Sequence, residues 1–226
     1  MKTRTINEFS DLQKIVEQYK NYVLFRGHSK RSYSLKPRIA RVEPKARDFN
    51  KFEKRVLELF QQRSIPYLHR EPKNDWEWLS LAQHHGLPTR LLDWTTNPLV
   101  AAYFAVEQEY NCESAIIVYK NDTRLRPENL NEKSPFEMNR IVKFYPPHLT
   151  QRIITQAGVF TLHPEPQKAL ENIASENAKL EMIIIPEKIK KDLKNTLYRF
   201  GIHRASLFPD LDGLTNHIEW LTTDSY

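Results

Sequence analysis

The stretch from Ser80 to Ala105 constrains the chain most, because it places a dense polar cluster directly before an apolar helix. Two adjacent histidines, a Gly-Leu-Pro turn, an arginine, an aspartate, a tryptophan and two threonines precede Asn97-Pro98. Asn97 reads as a helix N-cap and Pro98 as the first helical residue, where a missing N–H costs nothing. Leu99, Ala102, Tyr103 and Val106 then recur at helical spacing, so the helix is expected to be buried on most sides. A polar segment feeding a helix N-terminus offers free N–H groups and a positive dipole end, a combination that suits an anionic ligand. A well-capped core helix is the equal alternative.

Composition excludes several classes. The chain has 226 residues and 40% apolar content, enough to bury a sizeable core. Lys and Arg number 34 against 28 Asp and Glu, and the net charge of +6 favours anionic partners such as nucleotides, nucleic acid or acidic proteins. One cysteine, Cys112, precludes an internal disulfide and fits a reducing cytosol. The N-terminal stretch lacks an apolar leader region and no later stretch reaches bilayer length, so the expectation is a soluble, cytoplasmic protein with no membrane partner. None of the five glycines forms a phosphate-loop or dinucleotide-fingerprint spacing. His84-His85 lacks the companion residues of a helical zinc site, and no metal is expected.

Taken in order, the sequence predicts a first helix capped by Asn7 or Ser10, with Leu12, Ile15, Val16 and Tyr19 inward. A β-prone run from Tyr22 ends in Phe25-Arg26-Gly27-His28. An arginine ending a buried strand must reach water or an anion, so Arg26 is either a ligand anchor or the partner of a core carboxylate such as Asp93. Lys30, Arg31, Lys36, Arg38 and Arg41 form the most basic segment, a phosphate-contacting face or a solvated one.

A helix from Pro44 is expected to bury Phe49, Phe52, Val56 and Leu59, and a further helix from Asp75 to end at Gly86. His84 and His85 fall in its last turn, where the dipole favours a cationic imidazole. Strands are expected over Ser114–Lys120, near Arg140–Pro146, over Val159–Leu162 and over Lys179–Ile185. A long loop is expected over 121–139, with helices over His148–Ala157, Glu187–Phe200 and Leu214–Leu221. The economical reading is one α+β domain over residues 1–226, with an N-terminal helix in 1–20 and a motif-bearing core in 21–215. Its helices lie mainly in the first half, packed on a central, mostly antiparallel sheet.

Phe25-Arg26-Gly27, followed by His85-Gly-Leu-Pro-Thr-Arg-Leu-Leu-Asp-Trp-Thr95 with Asn97-Pro98 and Ala101–Ala105, resembles the FRG domain family. Arg152 to Gln156-Ala-Gly-Val-Phe-Thr161 and Gly201 through Asp210 and Asp212 to Gly213 resemble later motifs of that family, which is common in bacteria and their phages. A more distant resemblance links Arg26 and Thr95-Thr96, before an Ala-rich helix, to ADP-ribosyltransferases, in which a strand-end arginine holds NAD. That resemblance implies NAD as substrate, with a small-molecule nucleotide as partner and a protein or nucleic-acid acceptor. The function it implies is ADP-ribosyl transfer or NAD glycohydrolysis, in a toxin or defence setting.

On that resemblance the catalytic candidates are Arg26, His85, Asp93, Thr95 and Gln156. The cofactor-binding candidates are Arg26, Gly27, Thr89, Arg90, Trp94, Thr95 and Thr96. Arg26 would fork onto a pyrophosphate, Thr95 would hold a ribose hydroxyl and Trp94 would stack on nicotinamide. Gln156 stands where the resemblance expects a glutamate, and an amide cannot offset oxocarbenium charge as a carboxylate does. Glu165 and Glu181 are only guesses for that position, so either another acid serves, such as Asp93, Asp210 or Asp212, or the fold binds a ligand without turning it over. Two other readings remain open: a nucleic-acid-binding or nuclease-like module carried by the basic segment, and a buried ion-pair network of Arg26, Arg90 and Asp93 that specifies the fold alone.

Overall fold

The computed structural model describes residues 1–19, 23–42, 49–68, 70–108, 111–121, 132–147, 150–173 and 178–223. A seven-stranded sheet runs in the order β1-β7-β4-β2-β3-β6-β5. Its strands are β1 (Lys2–Thr5), β2 (Val23–His28), β3 (Leu91–Thr95), β4 (Ser114–Lys120), β5 (Val142–Phe144), β6 (Gly158–Leu162) and β7 (Lys179–Ile185). Only β1 and β7 pair in parallel; every other pairing is antiparallel. The expected α+β domain on a mostly antiparallel sheet is therefore what the chain forms.

β4 lies inside the sheet, and its continuous apolar run serves both faces, as a strand buried on two sides requires. Ile116 and Val118 join Phe25, Ile183 and Ile185 beneath helix α4 (Pro98–Val106), while Ile117 and Tyr119 join Leu24, Leu92 and Trp94 on the opposite face. α4 rests on β2 because residue 27 has no side chain. A Cβ there would overlap the carbonyl oxygen of Ala101 and stand 2.6 Å from the nitrogen of Ala105. Gly27, expected at the ligand, thus packs α4 on β2 and also borders a cavity.

A second core lies between helices α2 (Phe49–Ser64) and α3 (Asp75–His84) and strands β5 and β6, around Trp76, Trp78, Leu79 and Phe160. The start of α2 expected at Pro44 lies outside the described residues. The buried face of α2 also differs from the expected one: Phe49, Phe52, Val56 and Leu59 are only half-buried, and Glu53 and Leu57 face inward. The cause is Arg90. Its guanidinium is 2% exposed, and Glu53 receives it at 3.0 and 2.9 Å from Nε, while Phe136 covers it at 4.8 Å. A buried cation demands a carboxylate, and that demand sets the rotation of α2.

The other helices are α1 (Phe9–Val16), α5 (Gln151–Thr155), α6 (Leu170–Ile173), α7 (Lys190–Arg199), α8 (Arg204–Leu207) and α9 (Leu211–Thr223). α1 starts after Glu8, between the two caps expected. α9 starts three residues earlier than expected, and α7 and α9 place two of the longer helices in the second half. β1, β3 and α8 were not anticipated. β1 has only polar side chains and forms because its backbone pairs with β7 from Lys2 opposite Glu181 to Thr5 opposite Ile184. The helix at Gln151 stops at Thr155, Ala157 takes the left-handed turn at φ +47°, and Gly158 opens β6 instead of closing the helix. No helix among the described residues is long and apolar enough to cross a membrane.

Glu53→Ala is expected to cost about 3–5 kcal/mol in urea unfolding, since it strands a buried guanidinium. Replacing both partners, Glu53→Leu with Arg90→Met, should recover most of that loss. A Glu53→Ala cost below about 1 kcal/mol would show that Arg90 is solvated.

Candidate functional site

β2 and β3 are neighbours in the sheet but pair only at Phe25 opposite Thr95. Beyond that bridge they separate, whereas β2 continues along β4 as far as His28 opposite Ala115, and β3 along β6 as far as Leu91 opposite Leu162. Arg26 stands at the opening. Its Nη1 donates to the carbonyl oxygen of Asp93 at 2.6 Å, taking the acceptor that a continued ladder would have used, and meets Asp93 Oδ2 at 3.4 Å. Arg26 pairs with Asp93, as one of its two expectations had it, and also faces a cavity.

That cavity has a volume of about 490 Å³, within the usual range of small-ligand sites. Arg26, Lys36, Arg38, Arg41 and Arg152 line it, against Asp93 and Glu107 as its acids. The basic segment thus turns into a concave cleft. Arg38 Nη1 is fixed by the carbonyl of Gly86 at 2.5 Å, and Arg152 lies over the Phe208 ring at 4.2 Å. Arg31, from the same segment, points elsewhere and pairs with Glu113 at 2.8 Å.

The Asp93 carboxylate is half-exposed and held from two sides. Gln83 Nε2 donates to both its oxygens at 3.0 Å, and Thr89 Oγ1 donates to Gln83 Oε1 at 2.7 Å, fixing the amide orientation. Thr89 is 1% exposed and also caps the N–H of Leu91 at 3.1 Å, so it acts through Gln83 and not on a ligand.

Arg26 leans on a neutral base. Its Nε donates to His28 Nε2 at 3.3 Å, so the His28 proton sits on Nδ1, which is buried without a hydrogen-bond partner. Burial, then the Arg26 and Arg41 charges, push His28 down to about 3. His163 is similar: Thr161 Oγ1 accepts from Trp94 Nε1 at 2.8 Å and shares a hydrogen bond with His163 Nε2 at 2.9 Å. Burial and the nearby Arg26 charge bring His163 to about 3. Burial also works against the Arg26 charge, with Asp93 acting in the opposite direction.

The remaining expectations separate clearly. Arg90 is committed to Glu53 and lies outside the cleft, so the expected network of Arg26, Arg90 and Asp93 is two separate pairs. Trp94 lines the cleft but is only 3% exposed and is stacked on Tyr119 at 5.2 Å. Thr95 lines the cleft, but its hydroxyl donates to the Gln156 carbonyl at 2.7 Å and accepts from the N–H of Asn97 at 3.0 Å. Thr96 is exposed and outside the cavity, its N–H given to Ala157 at 3.1 Å. Gln156 lines the cavity, and its Nε2 donates to the Leu207 carbonyl at 3.0 Å.

His85 is exposed and outside the cavity, packed edge-on against His84 at 4.7 Å. His84 is the histidine that reaches the cleft, and burial, with His85 and Arg152 beside it, pushes it down to about 4. The cationic imidazole expected at that helix end is therefore neutral. Asp210 caps α9 by accepting from the Gly213 N–H at 2.7 Å, and Asp212 is exposed in that helix's first turn. At the α4 N-terminus Asn97 Oδ1 takes the Leu99 N–H at 2.9 Å and Pro98 has none, which is the cap expected there.

His28, Gln83, His84 and Arg152 were missed as site residues. Two carried a readable signal: His28 shares a strand face with Arg26 at i+2, and Arg152 lies one helical turn before Gln156. Among the described residues no group of three or more His, Cys, Asp or Glu side chains is placed to hold a metal.

A cationic cleft at the opening of an antiparallel sheet is the class of site this fold presents. Residues 21–114 match the model of the FRG domain. The match includes the Arg26 strand, Gln83, Asp93 and α4, whereas Arg152 and Gln156 lie beyond it. No curated protein and no solved structure matches the chain.

His28 and His163 take up a proton only on unfolding as pH falls, since their ordinary value of 6.5 drops to about 3 in the fold. Their contribution is intact above pH 6.5 and is lost as pH falls toward 3. Unfolding free energy near pH 5 should therefore fall by about 1.4 kcal/mol per pH unit for each imidazole. Urea midpoints at pH 7, 6 and 5 should fall less steeply in His163→Gln, by roughly one proton's worth. Equal slopes in both proteins would contradict the buried neutral imidazole.

Proposed function

We propose that the cleft binds a nucleotide by its phosphates and cleaves the nicotinamide–ribose bond of NAD, as a glycohydrolase or as an ADP-ribosyltransferase. The observation that carries the proposal is the convergence of Arg26, Lys36, Arg38, Arg41 and Arg152 on a cavity in which Gln83 holds the half-exposed carboxylate of Asp93. Guanidinium groups match phosphate oxygens in pairs, and a concave site surrounds a small ligand more completely than it does a polymer. Because Lys36, Arg38 and Arg41 turn inward, the geometry favours this reading over nucleic-acid binding.

The chemistry uses few groups. As the bond between ribose C1′ and the pyridinium nitrogen lengthens, positive charge grows on C1′ and the ring oxygen. A fixed carboxylate stabilises that charge better than mobile water does. Asp93 is the group suited to this, and Gln83 and Arg26 hold it in place. The bonding pair leaves with nicotinamide, which departs neutral. A water oxygen bonds to C1′ and releases one proton, for which Asp93 is the acceptor; in transfer, an acceptor side chain takes the place of water. Gln156 is not assigned the charge stabilisation, since an amide carries no net charge. The setting proposed is the cytoplasm, in a toxin or defence role.

Incubation with NAD should release nicotinamide, followed by chromatography. Arg26→Ala should abolish release, and Asp93→Asn should slow it by about 10²- to 10³-fold, the usual cost of removing one transition-state partner. Release at the wild-type rate in both variants would overturn the proposal, as would no release together with no NAD-dependent thermal shift.

A further inference from the structure

A second cavity, of about 260 Å³, lies beside the cleft, with Glu107 and Gln108 lining both. Its other walls are built mainly from rings. α9 supplies His217 and Trp220 one helical turn apart, α7 supplies Lys194 and Tyr198, and His203 comes from the residue that caps α8. His203 and His217 lie face to face, centroids 4.1 Å apart and planes 12° apart, and Trp220 continues the column at 5.8 Å and 18°. Tyr198 meets all three rings, at 5.6, 5.6 and 5.3 Å.

The protonation states follow from the contacts. His203 Nδ1 accepts the Ser206 N–H at 3.4 Å, so Nε2 carries the hydrogen and is a donor. Burial lowers His203, and burial followed by His203 itself lowers His217, as two stacked imidazoles require. A core cluster would be closed and apolar, yet Tyr198 is 38% exposed and the cavity is bordered by Lys194, Asn216 and Glu107. On its border Arg204 reaches Glu107 through Nη1, while its Nε is a buried donor without a partner. The volume is below the 300–1,000 Å³ of a whole-ligand pocket and suits one planar ring system.

We infer that this pocket is the nucleobase subsite of the nucleotide held in the cleft, the base stacking on the His217–Trp220 column while the phosphates meet Arg26 and its neighbours. The inference rests on the nucleotide reading of the cleft. Stacked rings recognise any flat heteroaromatic, because each has a π face, and the His203 and Arg204 donors favour a base with ring-nitrogen acceptors, such as adenine.

The test separates the two pockets with separate probes. Adenosine, which lacks phosphate, should show saturation transfer from the protein to its base protons. Trp220→Ala should weaken adenosine and ADP-ribose binding by roughly 5- to 150-fold, the effect of losing one stacking partner. Asn216→Trp, at an exposed helix position, should fill the pocket and block adenosine while inorganic pyrophosphate still binds in an Arg26-dependent way. Adenosine and ADP-ribose affinities unchanged in both variants would overturn the subsite even if NAD hydrolysis persists. Adenosine bound as described, with no pyrophosphate binding and no nicotinamide release, would instead leave the subsite standing and sink the nucleotide reading of the cleft. If the variants slow only transfer to an acceptor and leave ADP-ribose affinity intact, the pocket serves the acceptor and the inference fails.

Discussion

The ladder between β2 and β3 closes at one residue pair, Phe25 and Thr95, and the rest of the site follows from that interruption. A strand carbonyl left without its ladder partner must find another donor. Asp93 finds it in the Arg26 guanidinium, which brings a cation into the sheet opening and keeps the carboxylate of the same residue close to it. The opening is held by its surroundings: Gly27 lets α4 press on β2 from one face, and Thr89 with Gln83 ties α3 to Asp93. Cleft and core are therefore one construction.

The two arginine pairs in this region show why one cation is structural and the other available. Arg90 and Glu53 are each 2% exposed, and the guanidinium is covered by carboxylate oxygens and the Phe136 ring. Such a pair gains little net energy over an apolar packing but fails badly if halved. Arg26 has a half-exposed partner and a neutral His28 behind it. Its charge is balanced only in part, and neighbouring cations add to the imbalance, so an anion entering the cleft relieves repulsion as well as gaining hydrogen bonds.

Legibility in the sequence followed the physical strength of each signal. The two-faced strand β4, the Asn97-Pro98 cap and the apolar helix after it were readable because burial and capping act locally. β1 was not, since its side chains carry no apolar pattern and only its pairing with β7 makes it a strand. β3 was concealed by its polar residues, which looked like a loop motif while Leu91, Leu92 and Trp94 were packing on both faces. In the site, Arg26 and Asp93 were readable from the cost of burying charge. Arg90, Trp94, Thr89 and Thr95 share the same motif, yet they are bound to other parts of the protein. Motif membership does not reveal which polar groups are already satisfied; only the hydrogen-bond partners, distant in sequence, do so.

The most direct test is a crystal structure with ADP-ribose bound. The account predicts the pyrophosphate within hydrogen-bond distance of Arg26, in the opening between β2 and β3, with at least one of Lys36, Arg38, Arg41 and Arg152 on its oxygens. A pyrophosphate bound away from Arg26, or an empty cleft at millimolar ADP-ribose, would contradict it.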